Sequence, residues 1–258
     1  MRRSCLAGAV GVLLLSCGAA AQSPRFEVAS VKPIDPSVPQ EAGIKIHAGG
    51  TLAISGLSLK ALVGAAYGVA YWQIGGGEPW MERETFRVDA KPPADLQPGI
   101  QNLRHTLFSI EDPRLREMLG GLLAERFGLK IHRETKTGDV YTLERNGKAL
   151  KLRPAENGGS GAFGSIGYVG GSWGMTDTTM AQLAKFASDY IFHVPVKDGT
   201  GLSGAFDYRQ QTADLEPNYS DNSVSFRRLL PELGLTLERG KGPVERLIID
   251  KAVRPAAN

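Results

Sequence analysis

Two stretches of this chain read alike: Gly50-Thr-Leu-Ala-Ile-Ser-Gly-Leu-Ser-Leu-Lys-Ala-Leu62 and Gly171-Ser-Trp-Gly-Met-Thr-Asp-Thr-Thr-Met-Ala-Gln-Leu183. An offset of 121 separates Gly50 from Gly171 and Leu62 from Leu183, and also Pro33 from Pro154 upstream. Large apolar residues coincide, Leu52 with Trp173 and Leu59 with Met180, and so do the hydroxyls of Ser58 and Thr179. Each stretch is a short strand, a capping hydroxyl and the start of an amphipathic helix. Self-similarity at a fixed spacing predicts that one small fold unit occurs twice.

Moving outward, Phe26 to Val31 alternates as a half-buried strand stopped by Pro33, and residues 34–49 read as a loop or irregular hairpin. Thr51 to Ile54 is a second strand, and Ser58 caps a helix. Gly75-Gly-Gly77 reads as a turn and Phe86 to Ala90 as a strand. Residues 91–112 read as a loop with a helical piece at Gln101 to Phe108. Asp112-Pro113 opens the strongest helix: a cap, a proline at the first helical position, an apolar stripe from Leu115 to Phe127, and Gly128 as its end. Leu129 to Arg133 and Val140 to Glu144 are expected to pair as a hairpin across Lys136-Thr-Gly-Asp139.

The second half repeats this plan. Ala149 to Leu152 is its first strand, residues 155–170 a glycine-rich loop, and Trp173 to Met175 a strand. Thr179 to Ser188 is the capped helix, Val194 to Val196 a short strand and Ala205 to Tyr208 another. Asp214 to Ser223 is a polar insertion. Ser225 to Leu233 is the second helix, and a closing hairpin pairs Leu235 to Arg239 with Arg246 to Ile249. Here the offset is 106, as from Gly128 to Gly234 and from Arg133 to Arg239. The expected fold is α+β: two tandem β-β-α-β-β-α-β-β units, residues 22–147 and 148–258, with helices packed on small mixed or antiparallel sheets.

Composition narrows the setting. The chain has 258 residues, 42% hydrophobic and 22% charged, which suits a globular protein with its own core. Arg2-Arg3, the apolar run Cys5 to Leu15 and Ala19-Ala20-Ala21 read as a signal peptide over residues 1–21. The alternative is a lipobox at Leu14-Leu-Ser-Cys17, with Cys17 acylated. The first reading places the product in the periplasm or secreted; the second makes it a lipoprotein anchored through Cys17. Both cysteines, Cys5 and Cys17, lie in this segment, so cleavage after Ala21 leaves no thiol for disulfides or metal ligation. Cleavage also removes two of the 30 basic residues and none of the 27 acidic ones, for a net charge of +1. That balance, with no basic run among aromatics, argues against nucleic acid as a partner. No other stretch is apolar enough to span a membrane.

The ordered landmarks Phe26-Glu-Val-Ala-Ser-Val-Lys-Pro33, Phe86-Arg-Val-Asp-Ala90, Leu122-Leu-Ala-Glu-Arg-Phe-Gly-Leu-Lys-Ile-His-Arg-Glu134 and Val196-Lys-Asp-Gly-Thr-Gly-Leu-Ser-Gly-Ala-Phe-Asp-Tyr208 resemble a family of uncharacterised exported proteins of soil-associated acidobacteria. That resemblance implies no assigned activity. Some relatives carry the unit beside an antibiotic-sensor-like membrane domain, which implies sensing or binding. The helix-Gly-Leu-strand ending of each half is also similar to the short N-terminal domain of secretins and TonB-dependent receptors, which implies docking at the cell envelope.

Several motifs invite a chemical reading. Gly199-Thr-Gly-Leu-Ser-Gly204 matches a dinucleotide fingerprint, but a strand rather than a helix follows it, so a glycine turn is the better reading. His47, His105, His132 and His193 lack metal-pair spacing, and His132 falls on the exposed face of a strand. Ser160, Ser165 and Ser203 form no nucleophile elbow. Glu82, Glu84 and Asp89, or Asp198 and Asp207, supply carboxylate pairs without catalytic spacing. Tyr71, Trp72 and Trp80 flank the Gly75–Gly77 turn and read either as rim packing or as a platform for sugar or peptide. No cofactor or metal is expected. Two functions stay open. One is an exported non-enzymatic module that binds an envelope protein, peptide or glycan, through strand addition at sheet edges. The other is an extracytoplasmic hydrolase with a site between the two repeats.

Overall fold

The computed structural model describes residues 24–38, 41–47, 50–97, 110–156, 165–169, 172–210 and 222–256. The signal-peptide reading, Cys5, Cys17, Ser160, His105, the helical piece at Gln101 to Phe108 and most of the polar insertion lie outside these residues.

The fold is α+β, and among the described residues it is built from three four-stranded sheets. The first is fully antiparallel and ordered β1-β5-β3-β2. Its strands are β1 (Val28–Pro33), β2 (Gly43–Ile46), β3 (Leu52–Ser58) and β5 (Thr85–Lys91). The second is ordered β7-β11-β9-β8 and is also antiparallel. It holds β7 (Arg153–Pro154), β8 (Ser165–Val169), β9 (Ser172–Thr179) and β11 (Ala205–Arg209). Strand by strand the two orders correspond.

The helices form where the caps put them. Ser58 accepts the backbone N–H of Ala61 and starts α1 (Leu59–Tyr67), which buries Leu59, Leu62, Val63, Ala65 and Ala66. After the short α2 (Trp80–Arg83), Asp112 accepts from Arg114 and Leu115 to start α3 (Pro113–Phe127), and Gly128 ends it in the left-handed conformation. Thr179 and Gln182 close a capping box on α4 (Met180–Phe186), which continues as a π-helical turn to Phe192. In α5 (Asn222–Leu233), Phe226, Leu229, Leu230 and Leu233 are buried. Two hydrophobic cores result, one around Leu52, Leu62, Leu119 and Phe127, the other around Trp173, Leu183 and Phe226. Each fully buried leucine or phenylalanine contributes about 2–3 kcal/mol.

The third sheet corrects the sequence reading. No local hairpin forms at Lys136–Asp139 or between Arg239 and Arg246. Residues 130–145 are one strand, β6 (Lys130–Arg145), and residues 235–251 another, β12 (Leu235–Lys251). The two pair with each other, antiparallel, from Leu235 opposite Arg145 to Ile249 opposite Ile131. The glycines that looked like turn residues serve close packing across this ribbon. A Cβ on Gly138 would sit 2.9 Å from Val244 Cγ2, and one on Gly242 would sit 3.3 Å from both methyls of Val140.

Two short strands flank the ribbon in parallel, β4 (Ile74–Gly76) on β12 and β10 (Val196–Asp198) on β6, giving the order β10-β6-β12-β4. Gly75-Gly76 is therefore strand rather than turn. Two further readings shift: β8 occupies part of the expected 155–170 loop, and the strand expected at Ala149–Leu152 forms at Arg153–Pro154.

The ribbon ties the cores together reciprocally. Leu247, Ile249 and Ala252, from the end of the chain, pack into the first core beside Leu129 and Ile131. Leu143, from the first half, packs into the second core beside Leu235 and Leu237. The buried odd-numbered residues at both ends of β6 and β12 put both cores on one face of the ribbon.

Candidate functional site

Between the two cores the described residues leave most of the ribbon uncovered, Val140 excepted. Arg133, Thr135, Lys136 and Thr137 on β6, and Arg239, Gly240, Lys241, Pro243 and Glu245 on β12, are exposed. The direction of its backbone groups follows from the flanking bonds. Asn146 N–H donates to Gly234 O at 3.0 Å, so even-numbered residues of β6 bond across to β12. Odd-numbered ones point outward: Tyr141 N–H donates to Pro195 O at 2.8 Å, and Leu143 O accepts from Gly199 N–H at 2.8 Å. Strand β10 uses this edge only from Tyr141 to Leu143. From Arg133 to Asp139 the outward N–H and C=O groups face no strand among the described residues. The opposite edge is weaker, because Pro243 points outward on β12 and carries no N–H.

The charges beside this edge are paired. Asp139 lies 2.8 Å from both Arg239 Nη2 and Lys241 Nζ. Hydrogen bonds from Arg239 and then Lys241 lower its pKa from the ordinary carboxylate value to about 2. It is a fixed anion and no general acid. Arg133 pairs with Glu245, and Glu134 with Lys136, whose hydrogen bond also lowers the Glu134 pKa. His132 Nδ1 sits 2.8 Å from Asp250 on the exposed surface.

The three aromatic residues singled out in the sequence fall at one end of the ribbon but do not form one platform. Tyr71, in a 3-10 turn leading into β4, is half-exposed, with Lys60 Nζ over its ring at 4.9 Å. Lys60 pairs with Glu82 at 2.5 Å, and this hydrogen bond lowers the Glu82 pKa. Trp80 is buried, and Arg254 lies over its ring at 4.9 Å while bonding Glu84 through two nitrogens. Trp72 is half-buried, with no partner for Nε1 among the described residues. Only Tyr71 offers a usable ring.

An aromatic cluster at the other end was missed in the sequence. The Arg227 guanidinium lies 4.4 Å from the Phe192 ring and 5.1 Å from the Tyr141 ring, and bonds Tyr141 Oη at 3.1 Å. Phe192 stands 121 residues after Tyr71, the same spacing that separates the two similar stretches, and that spacing was the available signal.

The remaining candidates have local duties. Asp89 pairs with Arg87, Asp198 accepts from Thr200 N–H and Oγ1, and Asp207 accepts from Asp177 N–H. Gly199–Gly204 connects β10 to β11. Among the described residues no three His, Cys, Asp or Glu side chains converge on a metal position, and no helix is long and apolar enough to cross a membrane. A groove of about 200 Å³ runs between Phe26 and Ala29 on one side and Met118 and Leu122 of α3 on the other. Its rim balances Arg25 and Arg126 against Glu27 and Glu125.

The protein-family model described as "Protein of unknown function (DUF3738)" matches residues 60–252, and the chain belongs to that family. The match runs through both cores and ends at Ala252, the last buried residue after β12. No curated protein and no solved structure matches the chain.

Proposed function

We propose that this DUF3738 protein is an exported, non-enzymatic binding module that takes up an extended peptide segment of an envelope protein as an added strand. The outward edge of β6 from Arg133 to Asp139 carries this reading. It offers seven residues, about 23 Å of strand, with backbone donors and acceptors already aligned by the pairing with β12. A peptide laid there would continue the sheet where β10 stops. Backbone bonds would supply affinity, and Tyr141 with Arg227, where β10 leaves the edge, would read side chains. The charged residues on this edge discourage indiscriminate pairing. Export is supported by the basic start and apolar run at Arg2 to Leu15.

Selection from a displayed library of random peptides tests the reading. Enriched peptides should show a period-2 preference and bind the purified protein. Thr135→Pro removes one outward N–H without breaking a ribbon bond, as Pro243 does on the other strand, and should abolish binding while the protein stays folded. A library without enrichment, or peptides indifferent to Thr135→Pro, would refute it.

A further inference from the structure

The ribbon is self-complementary. Thr137 and Pro243, 106 residues apart, face each other. From Ile131 to Ile249 each pair has a counterpart at that offset, as Ile131 opposite Ile249 answers to Leu237 opposite Leu143; the register shift after Ile249 breaks the match only at the ribbon's end. The flanking strands obey the same rule. β4, from the first half, lies on Leu247–Ile249 of the second; β10, from the second half, lies on Tyr141–Leu143 of the first, 106 positions earlier. A contact in which residue i meets j and j meets i is the isologous interface of a two-fold dimer. Here it joins two parts of one chain.

We propose that the two halves are duplicated units held by strand exchange, and that a second copy of this chain is an alternative partner for each half. The first half of one chain would pair with the second half of another, and reciprocally, giving an exchanged dimer. This inference is independent of peptide binding. Ribbon, flanking strands and cores would be kept in full, and only the connection between the halves would change course.

That connection is short. Asn146 Nδ2 donates to Leu235 O at 3.1 Å, Asn146 Oδ1 accepts from Lys148 N–H at 2.9 Å, and Leu152 is already buried in the second core. Rerouting is therefore confined to the turn around Gly147 and Lys148. Gly147 has φ +80°, and a Cβ built there meets nothing within 4 Å. A side chain at 147 would penalise the closed turn through its backbone angle alone, and opening the turn would relieve it. In the parent chain the tether holds the halves at a millimolar effective concentration, which favours the monomer.

The test deletes Gly147 and Lys148 from the full chain, with Cys5→Ser and Cys17→Ser, and adds Thr137→Cys and Pro243→Cys. These two positions form a non-hydrogen-bonded pair, about 4.5 Å between Cα atoms, which suits a disulfide. The shortened chain should run at twice the monomer mass in light scattering at micromolar concentration. On a non-reducing denaturing gel its disulfide should join two chains, whereas at full length it closes within one. Gly147→Val should tighten dimerisation roughly thirtyfold, because the left-handed penalty is relieved twice per dimer. A shortened chain that folds as a monomer, or dimerises without interchain crosslinking, overturns the proposal. If the shortened chain fails to fold, Gly147→Val decides: a dimer with the interchain crosslink supports exchange, and a monomer at millimolar concentration overturns it.

Discussion

Gly76→Ala should destabilise the protein far more than its backbone angle accounts for. Gly76 has φ +72°, and holding alanine there costs about 1 kcal/mol. A Cβ would also lie 2.5 Å from Ile249 O, with Ile248 Cγ2 at 3.1 Å and Ile249 N at 3.2 Å, where ordinary contact begins near 3.4 Å. The obstructing atom belongs to the β12 backbone, whose partner strand β6 fixes it, so no side-chain rotation relieves the overlap. Overpacking of this kind costs about 1–3 kcal/mol, for a total of about 2–4 kcal/mol. Gly204→Ala is the control: φ +86° with nothing within 4 Å of the added atom, hence about 1 kcal/mol. Urea unfolding at pH 7, with m-values checked for constancy, measures both. Equal losses within about 0.5 kcal/mol would refute the close approach of β4 to β12, and with it the four-stranded central sheet.

Leu143→Ala, a first-half residue in the second core, should cost about 2–4 kcal/mol; hydrogen exchange should accelerate in α5 more than in α3, and the reverse order would contradict the exchanged strands. Asp112→Ala removes the acceptor of two backbone N–H groups and should cost about 1–2 kcal/mol by urea unfolding. Asp139 titrates lower folded than unfolded, so its contribution is complete above about pH 4 and fades as pH falls through about 2. Asp139→Asn should flatten urea midpoints between pH 4 and pH 2; an unchanged slope would dismiss the Arg239–Lys241 clamp.

The candidate site was only partly legible in the sequence. Tyr71 was visible as an aromatic beside glycines, and the structure leaves it half-exposed. Trp80 looked equivalent, but its ring is covered by Arg254, which lies 174 residues further on. The edge at Arg133–Asp139, unpaired among the described residues, was hidden, because the same residues are compatible with a local hairpin whose own strands pair.

The sequence by itself determined what is local. Capping hydroxyls, proline at a first helical turn, glycine at a helix end and apolar stripes act within a few residues, so α1, α3, α4 and most of α5 were readable, and with them the α+β class. Only the tertiary structure decided which strands pair. A period-2 pattern says that a segment is a strand, but not whether its partner lies four residues away or a hundred. Lys136-Thr-Gly-Asp139 is compatible with a turn and with continued strand. Reciprocal packing of Val140 and Val244 over glycines, and burial of Leu143 and Ile249 in opposite cores, favours continued strand, and those partners are distant in the chain.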